Sequence, residues 1–152
     1  MCEISYRKVS IFLILALIWQ MPQTLAALLI IPFIKQGVTL WKNPKTGMTV
    51  FRVNTKYSAC WSLGSFIFVK ESSKEELLKH ETGHSMQSLF LGPLYLLVVG
   101  IPSVILFWIR RWRNKSDLWY NLHFPENWAN RLGGVQIATE TKTNQTQTVT
   151  TP

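Results

Sequence analysis

The chain has 152 residues, 16 Lys and Arg against 8 Asp and Glu, a formal net charge of +8 and 47% hydrophobic residues, seven of them Trp. That length amounts to about one domain, and two cysteines without paired spacing exclude a disulfide framework, so both are expected as free thiols. The basic balance lies beside long apolar runs, which points to anionic lipid and away from nucleic acid.

In chain order the first feature is residues 9–34, "VSIFLILALIWQMPQTLAALLIIPFI", a run with no charged residue. A bilayer span needs ~20 apolar residues, and Arg7-Lys8 ahead of the run suits a cytoplasmic flank. Thr24 and Ala26 would fit a signal cleavage site, but the apolar stretch continues to Ile34. An uncleaved membrane anchor over residues 1–35 is therefore expected. "WQMPQT" breaks it with two Gln around Pro22, leaving a kinked span and a hairpin both open.

Residues 35–70 look soluble. "KNPKTGM" (42–48) is turn-rich and separates "VTLW" from "TVFRV", and "ACWSLGSFIFV" (59–69) follows. These β-branched and aromatic runs predict two or three strands. "GSFIFV" is further expected to pair with an extended substrate by strand addition. "ESSKEELLKHETGHSMQSL" then reads as a helix, with Ser73 and Glu76 at capping-box spacing and Gly92-Pro93 ending or kinking it. A second charge-free run, residues 89–109, leads to the basic cluster "RRWRNK" (110–115). Residues 117–135 read as a loop entering a short helix, and the Thr/Gln-rich tail from 138 to 152 is expected to be disordered. The Trp residues of "WIRRW" and "DLW" suit an interfacial belt.

"HETGH" carries the chemistry. On a helix His80 and His84 lie one turn apart on one face, so both imidazoles reach a single ion. Glu81 sits beside them, where zinc peptidases place a glutamate that takes a proton from metal-bound water. Gly83 suggests close approach of another backbone. For a third ligand the best candidate is Glu126, because Asn130 follows one helical turn later and could hold a ligand histidine's other ring nitrogen. His123 is the alternative third ligand. His123, Tyr120 and Arg131 are also candidates to face substrate or a developing oxyanion.

"HETGH" followed by "ENWAN" resembles the gluzincin pattern, H-E-x-x-H and then a Glu with an acidic residue four positions on. It is closer still to the CAAX prenyl protease and heat-shock membrane protease family, whose second motif reads E-x-x-A-D. "KHETGHSMQS", "GPLY", "GIPS" and "ENWANRLGG" are together similar to a group of small bacterial membrane proteins with this core. The resemblance covers roughly residues 60–135. It implies His80, His84 and Glu126 as ligands to one Zn2+ per chain and Glu81 as general base. The family's aspartate is Asn130 here, whose amide oxygen still accepts an N–H but brings no negative charge. Zinc binding should survive that change better than catalytic rate.

A full crossing by residues 93–109 would leave Glu126 and the histidines on opposite faces, and the residues after Arg110 are too few to cross back. A re-entrant hairpin satisfies both, with half-helices at about 93–99 and 103–111 turning at Gly100 and Pro102. The expected fold is thus an α+β membrane protein: a zincin-like helix, a small sheet and two apolar membrane segments, the second re-entrant. Residues 36–137 would form the zincin-like domain, including the inserted segment 89–111. The expected function is a zinc metalloendopeptidase of the bacterial inner membrane, with its site on the cytoplasmic face. Its partners would be membrane lipid and a peptide or membrane-protein substrate. The alternatives are a catalytically inactive metal-binding adaptor, and a small basic membrane protein in which the motif is accidental.

Overall fold

In the computed structural model, which describes residues 11–56, 60–70 and 72–136, the β-branched and aromatic segments form one sheet. It has four strands, one more than the upper expectation: β1 Lys35–Lys42, β2 Thr49–Thr55, β3 Trp61–Leu63 and β4 Phe66–Lys70, ordered β1-β2-β4-β3. β1 and β2 form an antiparallel hairpin, β4 runs parallel to β2, and β3 pairs antiparallel with β4. "GSFIFV" therefore supplies an interior strand with both edges occupied, so the substrate-pairing role expected for it does not hold. The sheet's outer strands are β1 and β3.

The unbroken apolar run of β4 follows from burial on both faces. Phe66 and Phe68 join Val53 and Ala27, with Leu17, Ile31 and Ile34 packed against them. Ile67 and Val69 face the opposite way, onto Val50 and Leu78. Ring stacking adds to the first cluster, with centroids 4.9 Å apart for Phe51–Phe66 and 4.0 Å for Trp61–Phe68. The sheet is thus sandwiched between two helices, α2 (Met21–Ile34) and α3 (Glu75–Leu91).

The helices overturn the expected membrane-spanning fold. No single helix among the described residues is long and apolar enough to cross a membrane. The first apolar run divides into α1 (Ile11–Trp19) and α2, bent by 97°. The cause lies in the two glutamines, both fully buried: Gln20 Nε2 reaches Ser65 Oγ at 3.5 Å and Gln23 Nε2 donates to the Gly92 carbonyl at 2.7 Å. These groups draw the bend onto the protein instead of leaving a straight rod.

The second run is divided as well, though not as a hairpin at Gly100. α3 ends at Leu91, where Gly92 takes φ 53°, a conformation natural to glycine. A 3-10 turn (Gly92–Leu94) and a π-helical segment (Leu96–Gly100) lead into α4 (Ile101–Trp112). Gly100 and Ile101 are helical, at φ −58° and −63°, so the helical path runs from the π-helical segment directly into α4 and through Pro102 without reversing there. The break in the run falls at Gly92, where α3 ends.

Two short helices, α5 (Asp117–Leu122) and α6 (Glu126–Gly133), complete the fold where a loop and one helix were expected. The capping box also fails to form: Lys74 is the N-cap of α3 and makes no side-chain cap bond, while Ser73 Oγ meets Cys60 Sγ at 3.5 Å. Cys60 is a free thiol. Cys2, the start of the N-terminal anchor and the polar tail lie outside the described residues.

Candidate metal centre

α3 is buried by polar residues along its second half: Glu81, Thr82, Gly83, His84, Ser85, Gln87 and Ser88 all lie inside. Buried polar groups call for partners: Thr82 and Ser85 donate to the Leu78 and Glu81 carbonyls of α3 itself, and His84 meets Glu126 of α6. A Cβ at Gly83 would collide with the Ala129 carbonyl oxygen, and one at Gly133 with the carbonyl of Lys79. Two glycines facing opposite ways across one interface let α3 and α6 touch backbone to backbone. The buried Asn43 amide, donating to the Gly133 carbonyl at 3.3 Å, ties the far end of α6 to the β1–β2 turn.

This close packing brings Glu126, fully buried at the start of α6, against α3. Its Oε2 lies 3.1 Å from His80 Nε2 and 3.1 Å from His84 Nε2. The other ring nitrogens are engaged by amide oxygens. His80 Nδ1 donates to Asn130 Oδ1 at 2.7 Å, and His84 Nδ1 to Gln87 Oε1 at 2.8 Å. The Asn130 amide is oriented in turn by Asn121, whose backbone and side-chain oxygens accept from Nδ2 at 3.4 and 3.5 Å. Gln87 Nε2 donates to the Pro125 carbonyl at 3.0 Å, next to Glu126. With Nδ1 committed to an amide oxygen, each imidazole would present its Nε2 lone pair to a metal ion that replaced the Nε2 proton.

The second oxygen of Glu126 accepts a short hydrogen bond from Ser103 Oγ on α4, and Ser103 lies 3.5 Å from the Tyr120 hydroxyl. Glu81 is buried beside the histidines, and its Oε2 makes no hydrogen bond. Ser62 on β3 bears on both the Glu81 carboxyl and the buried Tyr95 phenol, although Ser62 Oγ completes no bond of its own.

The electrostatics follow from burial and pairing. Burial opposes charge on His80, yet the Glu126 carboxylate, with Glu81 and Asn130, outweighs it and raises that ring to about 9. Burial would push Glu126 up, but hydrogen bonds from His80 and His84 hold it well below the usual carboxylate range. Glu81 goes the other way: its burial raises it despite the attraction of the two imidazoles. Burial likewise raises the Tyr120 phenol, with Glu126 adding to the effect, so it stays a neutral donor.

His80, His84 and Glu126 form a candidate metal-binding group, with one ligand atom from each and all within 4.8 Å of one another. The donor set fits an ion. Two imidazole nitrogens and a carboxylate oxygen with ~2.0–2.1 Å bonds stand roughly 3.3 Å apart around a tetrahedral centre; both nitrogen–oxygen pairs are close to that at 3.1 Å, and the two nitrogens lie within 4.8 Å. Among the other sequence candidates, Tyr120 comes near the centre. His123 does not, since its exposed ring meets Trp119 at a tilt, centroids 4.1 Å apart, and its Nδ1 donates to the Trp119 carbonyl at 2.6 Å. The Arg131 side chain is exposed.

Gln87, Ser103, Asn121 and Gly133 were not singled out in the sequence. Gln87 had a signal, three residues after His84 and hence on the same helical face; Ser103 and Asn121 had none. No family model, no curated protein and no solved structure matches the chain.

Proposed function

We propose that this protein is a zinc-dependent peptide hydrolase whose centre is His80, His84 and Glu126, with Glu81 as general base. One observation carries the reading: three donors converge on one point, each imidazole aimed by an amide oxygen, with a buried carboxylate beside them that completes no bond at one oxygen. A purely structural site needs the ligands but not Glu81. Three protein ligands are also the number that catalytic zinc sites use, whereas structural sites usually take four.

When bound, zinc supplies Lewis acidity, polarising a peptide carbonyl and easing loss of a proton from water. The chain's residues do the rest. Glu81, a stronger base than a solvated carboxylate because it is buried, accepts a proton from the attacking water at Oε2 and returns it to the departing amine. The water oxygen bonds the carbonyl carbon, the C–N bond breaks, and a carboxylate and an amine leave. Tyr120, held as a neutral phenol, is the donor placed to meet charge developing on the carbonyl oxygen. The outer edge of β3, which packs on α3, is where an extended peptide would lie.

A second reading, a metal-holding adaptor without activity, is favoured by one observation. The group on His80 Nδ1 is a neutral amide, which makes that imidazole a weaker donor than a carboxylate would. Glu81→Gln separates the two. Zinc-loaded full chain is offered an unfolded protein, and new termini are counted by mass spectrometry. The expected result is cleavage by the native chain and a loss of about 10²–10⁴-fold in Glu81→Gln with metal retained. Metal-loaded native chain that cleaves nothing would instead support the adaptor.

A further inference from the structure

The surface away from the metal centre carries more exposed apolar side chain than water tolerates. On α1 and α2, Ile11 is 77% exposed, Leu29 72% and Phe33 85%. On α4, Ile101, Val104, Ile105 and Trp108 are exposed, and Trp112 reaches 80%. Trp19 at the α1–α2 bend donates to the Leu89 carbonyl at 2.9 Å and its ring lies against Gly92, which ties the bend to the first residues of the second run. Exposed apolar surface on this scale marks an interaction surface.

Charge and length indicate what covers it. Arg110 and Arg111 end α4, and Arg113 and Lys115 follow, against a single nearby carboxylate, Asp117, which pairs with Arg110. Arg110, Arg111, Asn114, Lys115 and Asp117 line an open cleft of about 430 Å³. Two copies meeting through this face would bring like-charged collars together, in a chain already at +8. The 12 residues of α4 extend about 18 Å at 1.5 Å per residue. That is close to the depth of one leaflet, about half of a ~30 Å hydrocarbon core. Trp112 among the arginines sits where an aromatic belt and a headgroup layer coincide.

We infer that the apolar faces of α1, α2 and α4 rest in one leaflet of an anionic bilayer without crossing it, and that the 110–115 collar binds the phosphate headgroups. The site would then open close to lipid, since Arg110 lies over the Tyr120 ring at 5.4 Å and Tyr120 reaches Ser103, which holds Glu126. Lipid docking does not depend on peptide hydrolysis, and each stands or fails alone.

The test reconstitutes the full chain with vesicles of phosphatidylcholine, with or without phosphatidylglycerol, and measures flotation. Binding to both is expected, tighter with phosphatidylglycerol. That gain should disappear at high salt, and the combined Arg111→Glu, Arg113→Glu and Lys115→Glu variant should lose about 100-fold on the anionic vesicles. These three side chains are exposed, and unchanged metal content would show that the fold is intact. With Cys2 and Cys60 replaced, single cysteines at Thr46 and Arg113 are expected to react from the same side with an impermeant maleimide. Labelling from opposite sides, absence of a phosphatidylglycerol preference, or cross-linked dimers in place of vesicle binding would each overturn the inference.

Discussion

Glu126 divides its two oxygens between different tasks: Oε2 faces both histidines, and Oε1 accepts from Ser103. Ser103 thus fixes which oxygen is turned to the histidines, as Gln87 and Asn130 fix the imidazoles. Removing such a partner typically costs 10–100-fold in metal affinity, and about that loss is expected for Ser103→Ala and for Gln87→Ala in competition titrations with a chelating dye. Asn130→Asp should move affinity upward by placing a charge behind His80. The metal-free chain should also show a pH signature. His80 is raised above its ordinary 6.5, so its contribution to stability is complete below 6.5 and lost as pH rises through about 9. Glu81 is raised by burial, so its contribution is complete below about 4.5 and is lost as pH rises through its folded value. Glu126 is depressed, so its contribution is present above about 4.5 and lost on acidification. Thermal melts of chelator-treated protein across pH should therefore be highest between these limits. Zinc must displace the His80 proton, so affinity should climb from neutrality toward pH 9.

At the level of elements, the α3–α6 contact decides whether the ligands meet. Gly83→Ala or Gly133→Ala forces a methyl into a facing backbone carbonyl, so either should cost about 1–3 kcal/mol by overpacking and lower zinc affinity by displacing Glu126. Gly37→Ala is the control, because a Cβ there finds its nearest neighbour at 3.8 Å; its melting temperature should hardly move. Gly83 was legible as a point of close approach, while its counterpart Gly133 lies in "RLGG", which reads as an ordinary helix end. The strands were legible because β-branched and aromatic residues cluster between turn residues, but "ACWSLGSFIFV" conceals a reversal at Gly64, at φ 60°. Ser73 and Glu76 had the spacing of a cap without its geometry, since the preference for capping competes with whatever else the hydroxyl can reach.

For the whole molecule, the candidate metal-binding group was readable because its chemistry is local: two histidines one turn apart, and a glutamate followed one turn later by an amide. The path of the apolar runs was not. Hydropathy records the absence of charge, and it cannot tell a straight span from two bent helices held by buried Gln20 and Gln23. Nor does it show that α3 ends at Gly92 while Gly100 stays helical. The resulting architecture places a polar, buried helix between the sheet and α6, with the apolar helices turned outward. The decisive measurement is metal content by elemental analysis of the purified full chain beside His84→Ala and Glu126→Ala. About one zinc per chain in the native protein, lost in both variants while they remain folded, is the expected result. Folded native protein that takes up no divalent metal, or variants that keep it, would contradict the His80–His84–Glu126 centre.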